Sequence, residues 1–272
     1  MSGSEKAATD LPSALAEVDD IAAHLGDRQL AVFLDYDGTL TPIVDRPEQA
    51  ELGEEMRAAL SRLADLCKTA VISGRSLDDV RERVGLATVY YAGNHGLQIG
   101  GPDQAEIKHE KGREYLGVVA EACRELRSRL ENIDGILIEN KEFSLSVHYR
   151  LADDSVVPDV EAVIDEVVTA KPDLRKHSGK KVFEIRPRID WDKGKAVLWL
   201  LDALELGEDQ VLPLYIGDDV TDEDAFAVLE ERGIGIRVMG DSGTSRARYR
   251  LRDSGEVRSF LEKLTGICEG ES

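Results

Sequence analysis

Residues 30–39 read LAVFLDYDGT: the apolar run Leu30–Leu34 gives way to Asp35-Tyr36-Asp37-Gly38-Thr39. A short apolar run stopped by polar residues and glycine has the length of a buried strand. A strand apolar on both faces fits a parallel sheet covered by helices on each side. Open α/β sheets bind ligands beyond the carboxyl ends of their strands, which is where Asp35 and Asp37 fall. At a spacing of two they can leave the strand end on one side, one to attack an electrophile and one to manage a proton. Gly38 lets the chain turn and approach a bound group closely. Taken alone, the stretch is also readable as a polar turn.

The pattern repeats outward. Glu54–Leu66 has helical spacing, with Leu60, Leu63 and Leu66 as expected core contacts. Thr69–Ile72 is a second apolar strand, Leu77–Val84 a helix and Thr88–Ala92 a third strand. Near the end, Gly194–Leu204 reads as a helix, Val211–Ile216 as a strand, Glu223–Glu230 as a helix and Gly235–Val238 as a strand. Alternating strands and helices predict a Rossmann-like parallel sheet, an α/β class. Before the first strand, Leu11, Ala14, Leu15, Val18, Ala22 and Leu25 predict an amphipathic helix closed by Gly26, after a polar, frayed Met1–Asp10.

The middle differs. Glu114–Leu130 and Val156–Val168 are helical, while Ile136–Ile138, Phe143–Tyr149 and Lys181–Ile185 are strand-like. That order predicts an α+β module over 107–187, inserted into a core made of 1–106 and 188–272.

The chain has 272 residues, enough for a large core, and a net charge of −20. So acidic a chain repels nucleic acid and anionic membrane surfaces. An anionic substrate would need a local cation to hold it. Cys67, Cys123 and Cys268 are widely spaced and odd in number, which suits a reducing cytoplasm. No apolar run reaches membrane-spanning length, and the amino-terminal stretch lacks a signal core.

Three further stretches carry chemistry. Ser73-Gly74-Arg75 follows an apolar strand, so its hydroxyl and backbone N–H can bind a phosphoryl oxygen; Ser73 also suits a helix cap. Lys193, in Trp191-Asp192-Lys193-Gly194-Lys195, opens a helix and can neutralise shared negative charge, although most lysines are solvated. Gly217-Asp218-Asp219-Val220-Thr221-Asp222-Glu223 puts acids at a strand end, which suits a hard cation. Asp222 and Glu223 are equally readable as helix-capping acids. Together the four stretches supply a nucleophile, an acid/base, a metal ligand, a phosphate donor and a cation, the parts of a phosphoryl-transfer site.

In order and separation these four motifs resemble the haloacid dehalogenase-like (HAD) phosphatases, with an insertion where a C2-type cap belongs. Three more stretches resemble the trehalose-6-phosphate phosphatase family: Ala92-Gly93-Asn94-His95-Gly96-Leu97, Glu139–Arg150 and Phe183-Glu184-Ile185-Arg186-Pro187. Gln98 stands at or beside an acidic position of the first. The likeness covers Leu30 to Glu230. It implies a HAD-like core and a phosphatase acting on trehalose 6-phosphate through an aspartyl phosphate. Asp35 would be the nucleophile and Asp37 the general acid/base. Asp35, the backbone carbonyl of Asp37, and Asp218 would hold Mg²⁺. Ser73 and Lys193 would position the phosphate. Arg75, Asn94, His95, Glu139, Lys141, Arg150 and Glu184 would contact substrate. Without the likeness, Glu139 and Lys141 read as a surface ion pair; Trp191 and Trp199 read as packing residues. The expected partner is a small sugar phosphate, neither nucleic acid nor membrane, and a monomer is compatible with the sequence. Sucrose 6-phosphate or a mannosyl phosphate as substrate, a phosphomutase, and a non-catalytic sugar-phosphate sensor remain alternative readings.

Overall fold

The computed structural model describes residues 6–102, 108–238 and 243–270. Along the chain its main elements are β1 (Lys6–Ala7), α1 (Val18–Leu25), β2 (Gln29–Leu34), α2 (Glu54–Leu66), β3 (Lys68–Ile72), α3 (Leu77–Val84), β4 (Tyr90–Gly93), β5 (Gln98–Gly100), β6 (Lys108–Glu110), α4 (Leu116–Leu130), β7 (Leu137–Asn140), β8 (Leu145–His148), α5 (Val157–Thr169), β9 (Leu174–Gly179), β10 (Val182–Pro187), α6 (Lys193–Ala203), β11 (Val211–Gly217), α7 (Glu223–Leu229), β12 (Ile234–Val238), β13 (Thr244–Ser245), β14 (Tyr249–Leu251) and α8 (Ser254–Glu269). The chain divides into two compact units, 1–109 with 191–272, and 110–190. No described helix is long and apolar enough to cross a membrane.

The first unit is built on an eight-stranded sheet in the order β14-β12-β11-β2-β3-β4-β5-β6. β14 through β4 are parallel, and β5 runs antiparallel to β4. In β2, Leu30, Val32 and Leu34 join one apolar cluster with Ile21, Leu60, Leu63, Val80, Phe260 and Leu264. Ala31 and Phe33 point the other way, among Val197, Leu200, Phe226 and Leu229. The continuous apolar run of β2 thus reflects helices on both faces, as expected for a central parallel strand. Burying Leu60 and Leu63 contributes about 1.5–3 kcal/mol each relative to exposure. Leu66, expected in the core, is 44% exposed, because the buried face of α2 is Met56, Ala59, Leu60 and Leu63 and Leu66 falls to one side of it.

The second unit is a four-stranded antiparallel sheet, β7-β8-β10-β9. Leu145, Val147, Leu174, Phe183 and Ile185 pack against Val119, Leu126, Val160 and Ile164 of α4 and α5. The alternation in β8 leaves Ser146 and His148 on the opposite face.

Several expectations change. The predicted first helix starts only at Val18. Pro12 O accepts a hydrogen bond from Arg250 N, and Ala14 N donates to Arg250 O, so Leu11–Leu15 lies along β14 and does not coil. Lys6–Ala7 pairs with β13 and Ala8–Asp10 forms a 3-10 turn, so this part of the expected tail is ordered; Met1–Glu5 lies outside the described residues. The sequence reading also passed over β9, whose residues LRKHSG lack apolar alternation. Leu174 is its core residue, and Lys176 leans back to Glu161 and Asp165 of α5.

Candidate functional site

At the carboxyl edge of the first sheet, β2 lies between β3 and β11. Asp35 follows β2, Ser73 follows β3 and Asp218 follows β11, so adjacent parallel strands deliver all three to one edge. Gly38 has φ +82°, and a Cβ there would meet Asp218 Oδ2 at 2.4 Å. Only glycine lets the Asp35–Gly38 loop press against the β11 acid.

Asp35 and Asp218 are each 4% exposed, and Asp222 is fully buried. A carboxylate oxygen from each lies within 4.8 Å of the others. The ammonium of Lys193 faces Asp35 and Asp222. Lys193 Nζ donates to Asp35 Oδ1 and to Asp222 Oδ1, both at 2.7 Å. Asp192 caps α6 by accepting from Lys195 N at 2.8 Å, which fixes the first turn and with it Lys193. Burial raises the Asp35 carboxyl well above the ordinary carboxylate range; Lys193 opposes that rise, and Asp222 and Asp218 add to it. Burial works against the charge of Lys193, but Asp222 and Asp35 more than offset it and hold the ammonium protonated.

Three buried carboxylates gathered this closely concentrate negative charge, which a dry site tolerates poorly. Hard oxygen donors in that number suit a divalent cation. The donor set therefore fits a metal ion, with Asp35 and Asp218 best placed to hold it. Asp222 is already committed. Its Oδ1 also accepts from Tyr215 O–H at 2.7 Å, and its Oδ2 from Asp219 N at 2.8 Å. The capping role expected for Asp222 is real, but the same side chain anchors Lys193. Its spacing of four from Asp218 was the available clue. Glu223 turns away and binds Arg237 Nη1 and Arg246 N.

Asp37 is held differently. Arg75 Nε donates to its Oδ2 at 2.8 Å and Arg75 Nη2 to its Oδ1 at 2.7 Å. Arg75, expected at the substrate, has further partners in Asp79 Oδ2 and Pro47 O, each at 2.8 Å. Ser73 is buried, and its Oγ accepts from Arg75 N at 3.1 Å. Asn94 and His95 sit beside this loop with left-handed φ of 51° and 57°. Asn94 N donates to Arg75 O and His95 N to Ser73 O, so backbone pairing ties the loop after β4 to the loop after β3. His109 stacks on Trp191 at 4.7 Å and contacts Trp199 at the same distance, so both tryptophans pack as expected.

In the second unit, Glu139, Ser146, Glu184 and His177 pair in one row across the four strands. Lys141 is buried, with its Nζ 3.9 Å from Glu139 and 3.7 Å from Glu184. Glu139 also meets His148 Nε2 at 2.9 Å, and Glu184 pairs with Arg186. The Glu139–Lys141 pair is therefore part of a charged cluster on a sheet face. Arg150 lies past the end of β8, its Nη2 donating to Lys180 O at 3.0 Å. His148, Arg186 and His177 lie on the same sheet face as Glu139 and Glu184; their alternation along β8, β10 and β9 was the only clue.

A parallel sheet with acids and a lysine gathered at its carboxyl edge, in a chain that also carries a separate α+β unit, is the architecture of the HAD-like hydrolases. The solved trehalose-6-phosphate phosphatase carboxyl-terminal domain of C. albicans shares the fold at a TM-score of 0.81, with 22% identity over 94% of this chain and 99% of that one. A family profile described as trehalose-phosphatase matches residues 33–255. Probable trehalose-phosphate phosphatase 3 of Oryza sativa subsp. japonica is 44% identical over 94% of this chain and 75% of its own length. Trehalose-phosphate phosphatase B of Arabidopsis thaliana is 41% identical over 93% and 71%. The chain belongs to the trehalose-phosphatase family, whose members are phosphoric monoester hydrolases.

Proposed function

We propose that the protein hydrolyses trehalose 6-phosphate to trehalose and inorganic phosphate, with Asp35 as nucleophile. The observation that carries this reading is Lys193 shared between Asp35 and Asp222 beside Asp218, within a chain of this family. Asp35 attacks phosphorus in line, the P–O bond to the sugar breaks, and an aspartyl phosphate forms. Asp37 gives its proton to the departing sugar oxygen, then takes one from the water that attacks the aspartyl phosphate. Lys193 and Ser73 hold the phosphoryl oxygens through both steps. A divalent ion, which we take to be Mg²⁺, supplies charge neutralisation when bound to Asp35, Asp218 and the carbonyl of Asp37.

The second unit serves as a C2-type cap that reads the sugar. Its Glu139, Lys141 and Glu184 offer charge-assisted hydrogen bonds to hydroxyls; Arg150, Asn94 and His95 are further substrate contacts in this reading. The three free thiols suit a cytoplasmic setting.

The test is phosphate release from trehalose 6-phosphate beside glucose 6-phosphate and sucrose 6-phosphate, with and without chelator. Rapid, chelator-sensitive release from trehalose 6-phosphate is expected. Preference for another sugar phosphate would reassign the substrate, and full activity in chelator would remove the metal from the reading.

A further inference from the structure

Asp37 has a side chain 43% exposed, on a loop, yet the reaction asks it to aim one proton at one oxygen. Such a carboxylate ordinarily samples several rotamers. Here it is gripped from behind. Arg75, 5% exposed, holds both of its oxygens in the bidentate geometry that guanidinium and carboxylate share. Arg75 is itself fixed by Asp79, whose Oδ2 accepts from its Nη1 at 2.8 Å while Oδ1 accepts from Arg83 Nε at 2.8 Å. Asp79 sits in the first turn of α3, its backbone N–H donating to the Ser76 cap. The chain of contacts therefore runs from a rigid helix start to an exposed loop carboxylate. Tyr36 completes the seat: the Arg75 guanidinium lies 5.3 Å from its ring centroid, and its O–H donates to Ala50 O.

We propose that Asp79 is a positioning residue for the reaction, acting through Arg75 to aim Asp37 at the leaving oxygen. This rests on Asp37 as the general acid. Arg75 then serves Asp37 and does not bind the sugar. With Asp79 gone, a buried Nη1–H loses its acceptor and the guanidinium is free to swing. A displacement of about 1 Å at a catalytic group costs on the order of 10²-fold in rate.

The experiment compares two leaving groups in single turnover, with Mg²⁺ and the full chain. Trehalose is a poor leaving group and needs the proton; p-nitrophenol leaves without it. In Asp79→Ala, which removes the acceptor, release of trehalose from trehalose 6-phosphate should slow by roughly 10²-fold, while release of p-nitrophenol from p-nitrophenyl phosphate changes less than about threefold. Arg75→Lys keeps the charge, loses the fork and should show the same split, which keeps the test valid if Asp79→Ala folds poorly. Equal slowing with both substrates, or none with either, overturns the proposal. Asp37→Asn separates the two layers: it must show the split most strongly. If it does not, the general-acid reading fails; if it alone does, only the Asp79 relay fails.

Discussion

The ammonium of Lys193 lies 2.7 Å from Asp35 Oδ1, although 158 residues separate them in sequence. Both groups are almost completely buried, so neither can be satisfied by water if the other is removed. Lys193→Met should therefore cut turnover by about 10²–10³-fold, the cost of losing one preorganised charge donor. It should also raise the affinity of the remaining carboxylates for protons. Steady-state kinetics across pH would show this as an acidic limb moved to higher pH. Turnover within about twofold of the parent would remove Lys193 from the phosphoryl site.

Tyr215 supports this pair from below, its O–H bound to Asp222 Oδ1. Burial raises its phenol well above the ordinary value, with Asp222 and Asp35 adding to the rise, so it remains a donor. Tyr215→Phe leaves a buried carboxylate short of one hydrogen bond, worth about 1–3 kcal/mol of stability. Chemical denaturation should detect that loss, while the fold stays intact by circular dichroism.

Gly38 is one of the tight packing points of the site. Alanine there would carry φ +82° and bring its Cβ onto the Asp218 carboxylate. Gly38→Ala should weaken Mg²⁺ binding, measured by calorimetry, and cost about 1–3 kcal/mol through strain. Unchanged metal affinity would mean that Asp218 is not a ligand.

Metal and protons compete for Asp35. Its folded pKa stands above the unfolded value of 3.8, because burial disfavours the anion. That shift contributes stability which is complete below 3.8 and is lost as the pH climbs through the raised folded value. Metal-free protein should thus lose stability as pH rises, and the thermal midpoint gained on adding Mg²⁺ should grow between about pH 5 and about pH 8. Melting curves with and without chelator check the trend; a gain that shrinks with pH contradicts it.

Glu184 sits in the second unit's charged row, 3.7 Å from Lys141. Glu184→Ala should reduce kcat/KM for trehalose 6-phosphate by about 10–10²-fold, the worth of one or two charge-assisted hydrogen bonds, and leave p-nitrophenyl phosphate nearly unaffected. Equal losses on both substrates would assign Glu184 to folding.

The core was legible because its strands are buried on both faces. Leu30–Leu34 and Val211–Ile216 announce themselves as unbroken apolar runs, and each ends in the acids it carries to the sheet edge. Where burial is one-sided or partial, the signal fades. β9 has one core residue and several charged ones, and Leu11–Leu15 mimics a helix while Pro12 and Arg250 make it an edge pairing. The helix α8 was missed although Val257, Phe260, Leu261 and Leu264 keep its period. At the site, the strand-end acids were readable from position. The Arg75 grip on Asp37 and the bond from Tyr215 to Asp222 were not, since both join residues whose proximity only the folded sheet creates.

The pairing of β2 with β11 has a consequence for how the protein is made. The nucleophile's strand leaves the ribosome early, but its neighbour on one side is encoded some 180 residues later, from Gln29 to Val211. During synthesis Asp35 therefore has neither Lys193 nor Asp218 beside it. A nascent chain carries the motif without the chemistry, and competence appears only once the segment from Lys193 to Gly217 has been made and β11 has joined the middle of the sheet.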